Sequence, residues 1–544
     1  HRYRAFYEQA RRAYNRCLKL AENKNDAYFI SRSNAGLAHI YLDTIQPALA
    51  EDYLRKAIHY SQVTDEMQEK ERDLLKRQFA ENLVNLGRAK DAKEWVQSEK
   101  LDASILREGN LDARILLRMG KLSEAENILL DHMDKKISLP DSHREINVLL
   151  SLIYSMTGHL EKAITEADQG IQSGEEMKSR FVEAVGYTRR GHAEIIAYPN
   201  DLDRAESSYE KAIEIMDQLK VSRTKAEPFM GLAGVKLRKG MFYEAIQAGN
   251  YALKETEKVN DDWLSGLILI SLGIVYFYEK NFDKSEQQLV QAEQMFMQSG
   301  DLYHQMIVYF WLMNVYYEEG KKEPLCEVTE KFITIFLEER YEFFLMKDTL
   351  FGPIDRHIIY PLFQKVNSLL ADNEKLMKVA RIIKLQEFKD HPGYQIYVRV
   401  FGQLRMNISN KYGPNLEWQR EKAKELFLYF LMNRDRFIPK EEMMQVLWGD
   451  MDEKSADRNF KVTLNALLNA LEPNREARKP SFFILRNQKM YRINPLASII
   501  TDRELFLQEA NQGLQSEDSN EALDYLLSSL KYYEATAFED MRDA

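Results

Sequence analysis

Apolar residues recur with a helical period through the first 340 positions, and small or polar residues interrupt them at a nearly fixed interval. The interruptions read GRAKDA at 87, GKLSEA at 120, GHLEKA at 158, NDLDRA at 200, GMFYEA at 240, KNFDKS at 280 and GKKEPL at 320. Their starts lie 33, 38, 42, 40, 40 and 40 residues apart. Most copies carry a Leu or an aromatic residue two positions after the turn, and a small residue follows five positions after it. An earlier copy is legible in ALAEDYLRKAI, where Ala50 and Ala57 keep the spacing of Ala205 and Ala212. A turn residue that adopts the left-handed conformation ends one helix. Small residues at the crossing then let the next helix lie close against it. No such pair buries its apolar face alone, so neighbours must stack. The pattern predicts about eight antiparallel helix pairs in a superhelical array.

Two successive first helices of this array, Trp263 to Tyr278 and Leu302 to Tyr317, are free of acidic and basic residues. They are expected either to form a groove containing Tyr276, Tyr309, Trp311 and Tyr316 or to be the most buried part of the array. Aromatic residues at helical spacing are usually core, which favours burial. The first run, WLSGLILISLGIVYFY, falls short of the ~20 apolar residues that span a bilayer, so no membrane span is expected. Residues 341–390 continue as helices without a clean repeat, and HPGY at 391–394 marks a domain boundary.

Beyond HPGY the period changes. YQIYVRVFGQLRMNI alternates as a strand does, and a helix follows from about Gln419 to Asn433. A short helix starts after Pro439, and a third runs from the N-cap candidate Asp452 to Glu472, before Pro473. On that third helix Phe460, Leu464, Leu467 and Leu471 share an inward face. Arg458, Val462, Asn465, Ala466 and Asn469 fall opposite them, flanked by Lys461 and Thr463. Arginine suits guanine, asparagine suits adenine, and an apolar side chain can touch a thymine methyl, so this face fits a major groove. FFILRNQKMYRIN reads as a hairpin whose tip holds Arg486, Asn487, Gln488 and Lys489. Arg420, Lys422, Lys424 and Lys440, at or near helix starts, are placed to hold phosphates.

These motifs carry a resemblance. The repeats resemble tetratricopeptide repeats in the longer variant found in large bacterial transcriptional activators. WQREKAKELFLYFL, PKEEMMQVLW, ADRNFKVTLNALLNALEP and FFILRNQKMYRINP resemble the OmpR-type winged helix of the antibiotic-regulatory-protein family. TDRELFLQEANQGLQSEDSNEALDYLLSSLKYYEATAFEDM is similar to the opening of the bacterial transcriptional activator domain, cut off at Ala544. The resemblance implies a mostly α chain. It comprises a repeat array at 1–340, a helical connector at 341–390, a winged helix-turn-helix at 391–500 and a truncated helical-repeat domain at 501–544. It also implies a nucleotide-binding switch domain upstream in many relatives, which these residues do not contain. One departure is plain: the family usually places arginines late in the recognition helix, and here the stretch reads NALLNAL. Weak binding by the isolated domain is expected, with a second copy or a partner supplying the rest.

Composition narrows the reading further. The chain is 45% hydrophobic and 29% charged, as folded proteins are, and carries a net charge of −10. Residues 391–500, however, hold 18 Lys and Arg against 12 Asp and Glu, a basic island in an acidic chain. Cys17 and Cys326 form no CxxC, which points to a reducing cytoplasm. The opening HRYRAFYEQARRAY is not a signal peptide and looks like a fragment boundary. No GxxxxGK[ST], HExxH or GxSxG is present, and His192-Ala-Glu194 lacks the PCxxC half of a deaminase signature. An enzyme is the least expected class, and no metal or cofactor is expected. The expectation is a cytoplasmic transcriptional regulator. Its winged helix would bind double-stranded promoter DNA, and its repeats would receive a small-molecule or protein effector. The alternative is an interaction scaffold whose winged helix is an accessory docking surface.

Overall fold

Helices and turns alternate through the first 340 residues in the rhythm of the repeat. The computed structural model describes residues 7–43, 46–134, 143–199, 201–219, 222–409, 413–516, 518–533 and 535–537. The chain divides into two compact units, residues 1–352 and 353–544.

Among the described residues of the first unit, Tyr7–Lys24 precedes eight antiparallel helix pairs. The first pair is Ala27–Asp43 with Pro47–Gln62, the second Glu69–Asn85 with Ala89–Ser98, and the third Leu111–Leu117 with Leu122–Asp134. The seventh is Asp262–Tyr278 with Phe282–Ser299, and the eighth Leu302–Glu318 with Lys322–Glu338. The turn glycines at 87, 120, 158, 240 and 320 are left-handed, with φ between 70° and 79°. Lys280 takes the same conformation where the copy lacks glycine, at φ 63°. Asn200 lies outside the described residues. Five positions on, Ala92, Ala125, Ala163, Ala205, Ala245 and Ser285 are fully buried. Close helix crossing thus has its cause in side-chain size, and the unit is a tetratricopeptide-like α-solenoid.

The solenoid closes on itself axially. The backbone at Gly87, in the second pair, approaches that of Trp263, in the seventh, and Gly120 in the third pair approaches Tyr303 in the eighth. A Cβ at Gly120 would sit 2.5 Å from the Tyr303 amide nitrogen. One superhelical turn therefore takes five pairs. Long-range hydrogen bonds run between successive turns: Tyr303 Oη donates to the Met156 carbonyl at 2.7 Å, and Tyr341 Oη to the Gly120 carbonyl at 2.8 Å. Lys121 pairs with Glu339 at 2.5 Å, and the Arg118 guanidinium lies 4.3 Å from the Trp263 ring. This closure accounts for the two uncharged helices. Tyr276, Tyr309, Trp311 and Tyr316 are all buried, and Trp311 donates to the Phe351 carbonyl at 2.8 Å. They are core, not a groove.

In the second unit, β1 (Ile396–Arg399) pairs antiparallel with β2 (Arg405–Ile408). Three helices follow, α1 (Glu421–Met432), α2 (Lys440–Trp448) and α3 (Glu453–Leu471), with β3 (Ile438–Pro439) just before α2. β4 (Ile484–Asn487) and β5 (Met490–Ile493) form a hairpin to which β3 adds, and β6 (Ile499–Thr501) returns parallel to β1. One core joins these elements through Ile396, Phe427, Phe430, Phe460, Leu467 and Tyr491. A helical pair, Asp502–Gln515 and Ser519–Leu530, follows β6.

Of the connector expected at 341–390, residues 353–390 fall within this unit. Two histidines supply the reason. Gly393 N–H donates to His391 Nδ1 at 2.8 Å, so neutral His391 carries its proton on Nε2 and donates it to His357 Nδ1, 2.8 Å away. The ring centroids lie 4.7 Å apart with nearly parallel planes, and burial pushes both histidines down, His357 to about 4 and His391 to about 3. Depressed folded values mean that stability is present above the unfolded histidine value of about 6.5 and is lost as pH falls below it. Protection of amides at β1 and at residues 359–369, corrected for the intrinsic slowing of exchange in acid, should therefore fall between about pH 6.5 and 4, by about 2 kcal/mol or more. A His391→Phe variant should show a flatter profile, whereas an unchanged profile would refute the paired-histidine account.

Candidate nucleic-acid interface

α3 begins where a capping residue permits it. The Asp452 carboxylate accepts from the amides of Lys454 and Ser455, both at 3.1 Å, and the helix ends at Leu471, before Pro473. Ala456, Phe460, Thr463, Ala466, Leu467, Ala470 and Leu471 are buried along it. Arg458, Lys461, Val462, Asn465 and Asn469 are exposed. Arg458, Asn465 and Asn469 have no hydrogen-bond or ion-pair partner among the described residues.

Two expected surface positions are corrected by this arrangement. Thr463 is only 2% exposed and Ala466 4%, so neither can meet a ligand. At about 100° per residue the buried arc is centred near Thr463, some 50° away from the Phe460–Leu467 line. Ala456, Thr463, Ala466 and Ala470 supply a strip of small side chains on a helix that packs against α1. Lys454, which sequence reasoning did not single out, is exposed on the same face as Arg458, one turn earlier. Its spacing of four from Arg458 was the available signal.

The hairpin approaches this helix through aromatic contacts. Tyr491 on β5 meets Phe460 edge-on at 5.5 Å, and Arg486 lies 5.7 Å from the Tyr491 ring. Gln488 turns the chain at φ 55°, and its carbonyl accepts from Arg486 Nε at 2.9 Å. The Lys440 amide donates to the Lys489 carbonyl at 2.9 Å, tying the start of α2 to the hairpin tip. Four cations consequently gather. Burial lowers the Lys440 pKa, and Lys461, Lys489 and Arg486 lower it further by repulsion, opposed by Glu441.

The cations differ in how far they are committed inside the protein. Lys440 is half-buried, is ion-paired to Asp457 and lies 5.6 Å from the Phe460 ring, so it is not the free phosphate contact expected of it. Lys461 shares Asp457 at 2.7 Å but stays exposed. Lys489 is exposed, with Glu441 3.7 Å away. On α1, Lys422 pairs with Glu425 at 2.5 Å and Lys424 with Glu421 at 3.0 Å, whereas Arg420 is exposed. Asp457 was missed as well: it joins α2 to α3, and its spacing of four from Lys461 was the signal available in the sequence.

The histidine that mimicked half of a deaminase motif is engaged in the first unit. His192 is buried between the Tyr209 hydroxyl at 2.8 Å and Glu227 at 3.1 Å, and Glu194 accepts from Ser208 at 2.6 Å. Among the described residues no cluster of three His, Cys, Asp or Glu side chains could hold a metal ion. No helix among them is long and apolar enough to cross a membrane.

The chain is thus a mostly helical, tetratricopeptide-like repeat protein that carries small sheets toward its carboxyl end. No family model matches the sequence, and no curated protein matches it. Among solved structures it is similar to a Rap protein complexed with competence and sporulation factor. Identity there is 13%, over 66% of this chain and 98% of that one, with a TM-score of 0.47. It is also similar to the apo form of RapI, at 12% identity over 66% of this chain and 99% of that one, TM-score 0.35. A third likeness is a signal-transduction ATPase with numerous domains and a tetratricopeptide repeat sensor, from Pyrococcus horikoshii. It is 16% identical over 62% of this chain and 49% of that one, with a TM-score of 0.35.

Proposed function

We propose that this protein is a non-enzymatic transcriptional regulator whose second unit binds duplex DNA through a winged helix-turn-helix. α2 and α3 form the helix-turn-helix, α3 is the recognition helix, and the β4–β5 hairpin is the wing. The observation that carries this reading is the exposed, unpartnered face of Arg458, Asn465 and Asn469 beside a hairpin tip bearing Arg486 and Lys489. A solvated structural helix has no need of polar side chains suited to base edges, aligned with cations that another element supplies. The wing cations supply affinity, and the helix face supplies sequence reading. The repeat unit receives an effector, a small molecule or a protein, and biases whether the recognition helix is available.

Binding of the intact chain to genomic duplex fragments at low and moderate salt tests this. Arg458→Ala is expected to cost about 1–3 kcal/mol on preferred fragments and to narrow the gap between preferred and random DNA. Lys489→Ala is expected to weaken binding to all fragments and to reduce the salt slope by about one. The reading falls if binding is neither salt-sensitive nor sequence-selective.

A second reading, an interaction scaffold with the winged helix as accessory surface, draws on a specific observation. Lys422, Lys424 and Lys440 each hold a carboxylate of this chain, which reduces the charge left for phosphates. A saturable protein complex indifferent to Arg458→Ala and Lys489→Ala would favour it.

A further inference from the structure

The outward face of α3 carries a chemical bias that the DNA-binding reading does not require. Past Lys454 it presents one guanidinium, on Arg458, then Lys461 and Val462, and then two carboxamides, on Asn465 and Asn469. No acidic side chain is exposed on it; Asp457, at its edge, is held by Lys440 and Lys461. Both carboxamides are without partners among the described residues, so their donor and acceptor are uncommitted.

We infer that the DNA read by this face is adenine-rich, with a single guanine at the end that Arg458 approaches. The inference rests on the DNA-binding reading and adds the identity of the bases. An asparagine amide donates and accepts at once, which matches the N6 and N7 edge of adenine; the two acceptors of guanine would leave its oxygen unmet. Arginine has the reverse preference. Val462 finds an apolar contact only on a thymine methyl, and a cytosine amino group would find no free carboxylate. At about 1.5 Å per residue Asn465 lies roughly 10 Å beyond Arg458, and Asn469 about 6 Å further. Along the groove the adenines therefore lie on one side of the guanine, the one met by Asn465 nearer to it and the one met by Asn469 farther. The wing adds to the bias, because the narrow minor groove of A-tracts attracts exposed cations such as Arg486 and Lys489.

Selection of bound duplexes from a random pool by the intact chain tests the inference. The recovered motif is expected to hold two A·T positions on the same side of a single guanine. Asn465→Arg is expected to exchange adenine for guanine at the nearer position, with a roughly tenfold change in preference there. Asn469→Ala is expected to relax the farther position alone, with unchanged melting temperature. A merely structural asparagine would not move single motif positions in this way. A G·C-rich motif, or one identical for all three proteins, overturns the inference while leaving DNA binding standing. If the intact chain retains no duplex even at low salt, the DNA-binding reading itself fails, and this inference with it.

Discussion

Gly120→Ala is expected to destabilise the first unit by about 3 kcal/mol or more, whereas Gly240→Ala costs about 1 kcal/mol. The two glycines occupy equivalent turns and share a left-handed backbone, with φ of 78° and 74°. Each substitution therefore meets the same conformational penalty. The space around them differs. At Gly240 nothing lies within 4 Å of an added Cβ. At Gly120 the same carbon meets the Tyr303 amide nitrogen at 2.5 Å and Asp301 Oδ1 at 2.9 Å. These neighbours have little freedom to move. Asp301 caps the helix Leu302–Glu318 and also accepts from Trp263 at 2.8 Å, while Tyr303 is bonded to Met156. Thermal unfolding of the two variants gives the comparison, and hydrogen exchange of residues 302–305 locates the damage. Equal destabilisation would mean that the contact between superhelical turns contributes nothing.

That contact also marks what the sequence did not disclose. The turns at 87, 120, 158, 240 and 320 and the small residues after them were legible, because each records a local demand that recurs with the repeat. The closure between turns joins residues far apart in sequence, such as Tyr303 with Met156, 147 positions away, and Tyr341 with Gly120, 221 away, and leaves no local period. Its only trace was the missing charge at 263–278 and 302–317, which alone did not separate a groove from a core. On α3 the exposed line of Arg458, Val462, Asn465 and Asn469 was legible from the helical period. The placement of Thr463 and Ala466 was not. Burial follows which neighbour covers a helix, and small side chains admit a close neighbour that an apolar-periodicity rule does not weigh. Lys440 failed for a different reason: its commitment to Asp457 spans 17 residues and two helices.

Charge is also buried at the middle of the solenoid, and there the second large effect is expected. Glu227→Gln should destabilise the first unit by about 3–5 kcal/mol near pH 7. Glu227 accepts from Arg189 and from His192, whose other ring nitrogen faces the Tyr209 hydroxyl. An ionised Glu227 can only accept, so His192 Nε2 carries the proton and Nδ1 accepts from Tyr209. The neutral amide would leave the largely buried Arg189 guanidinium without its counter-charge, which costs more than the net worth of the pair. Arg189→Met combined with Glu227→Gln is expected to recover part of the loss, since no unpaired charge then remains. The pH dependence has a definite sign. Burial alone would raise the Glu227 pKa, but Arg189 and His192 outweigh it and hold the carboxyl well below its usual range. Its contribution is therefore full above the unfolded carboxylate value of about 4.3 and declines as pH falls below it. Urea titrations near pH 7 and near pH 3 should show the gap between wild type and Glu227→Gln shrinking in acid. A gap that held constant with pH would assign the destabilisation to lost packing and leave the buried ion pair without a role in holding these repeats together.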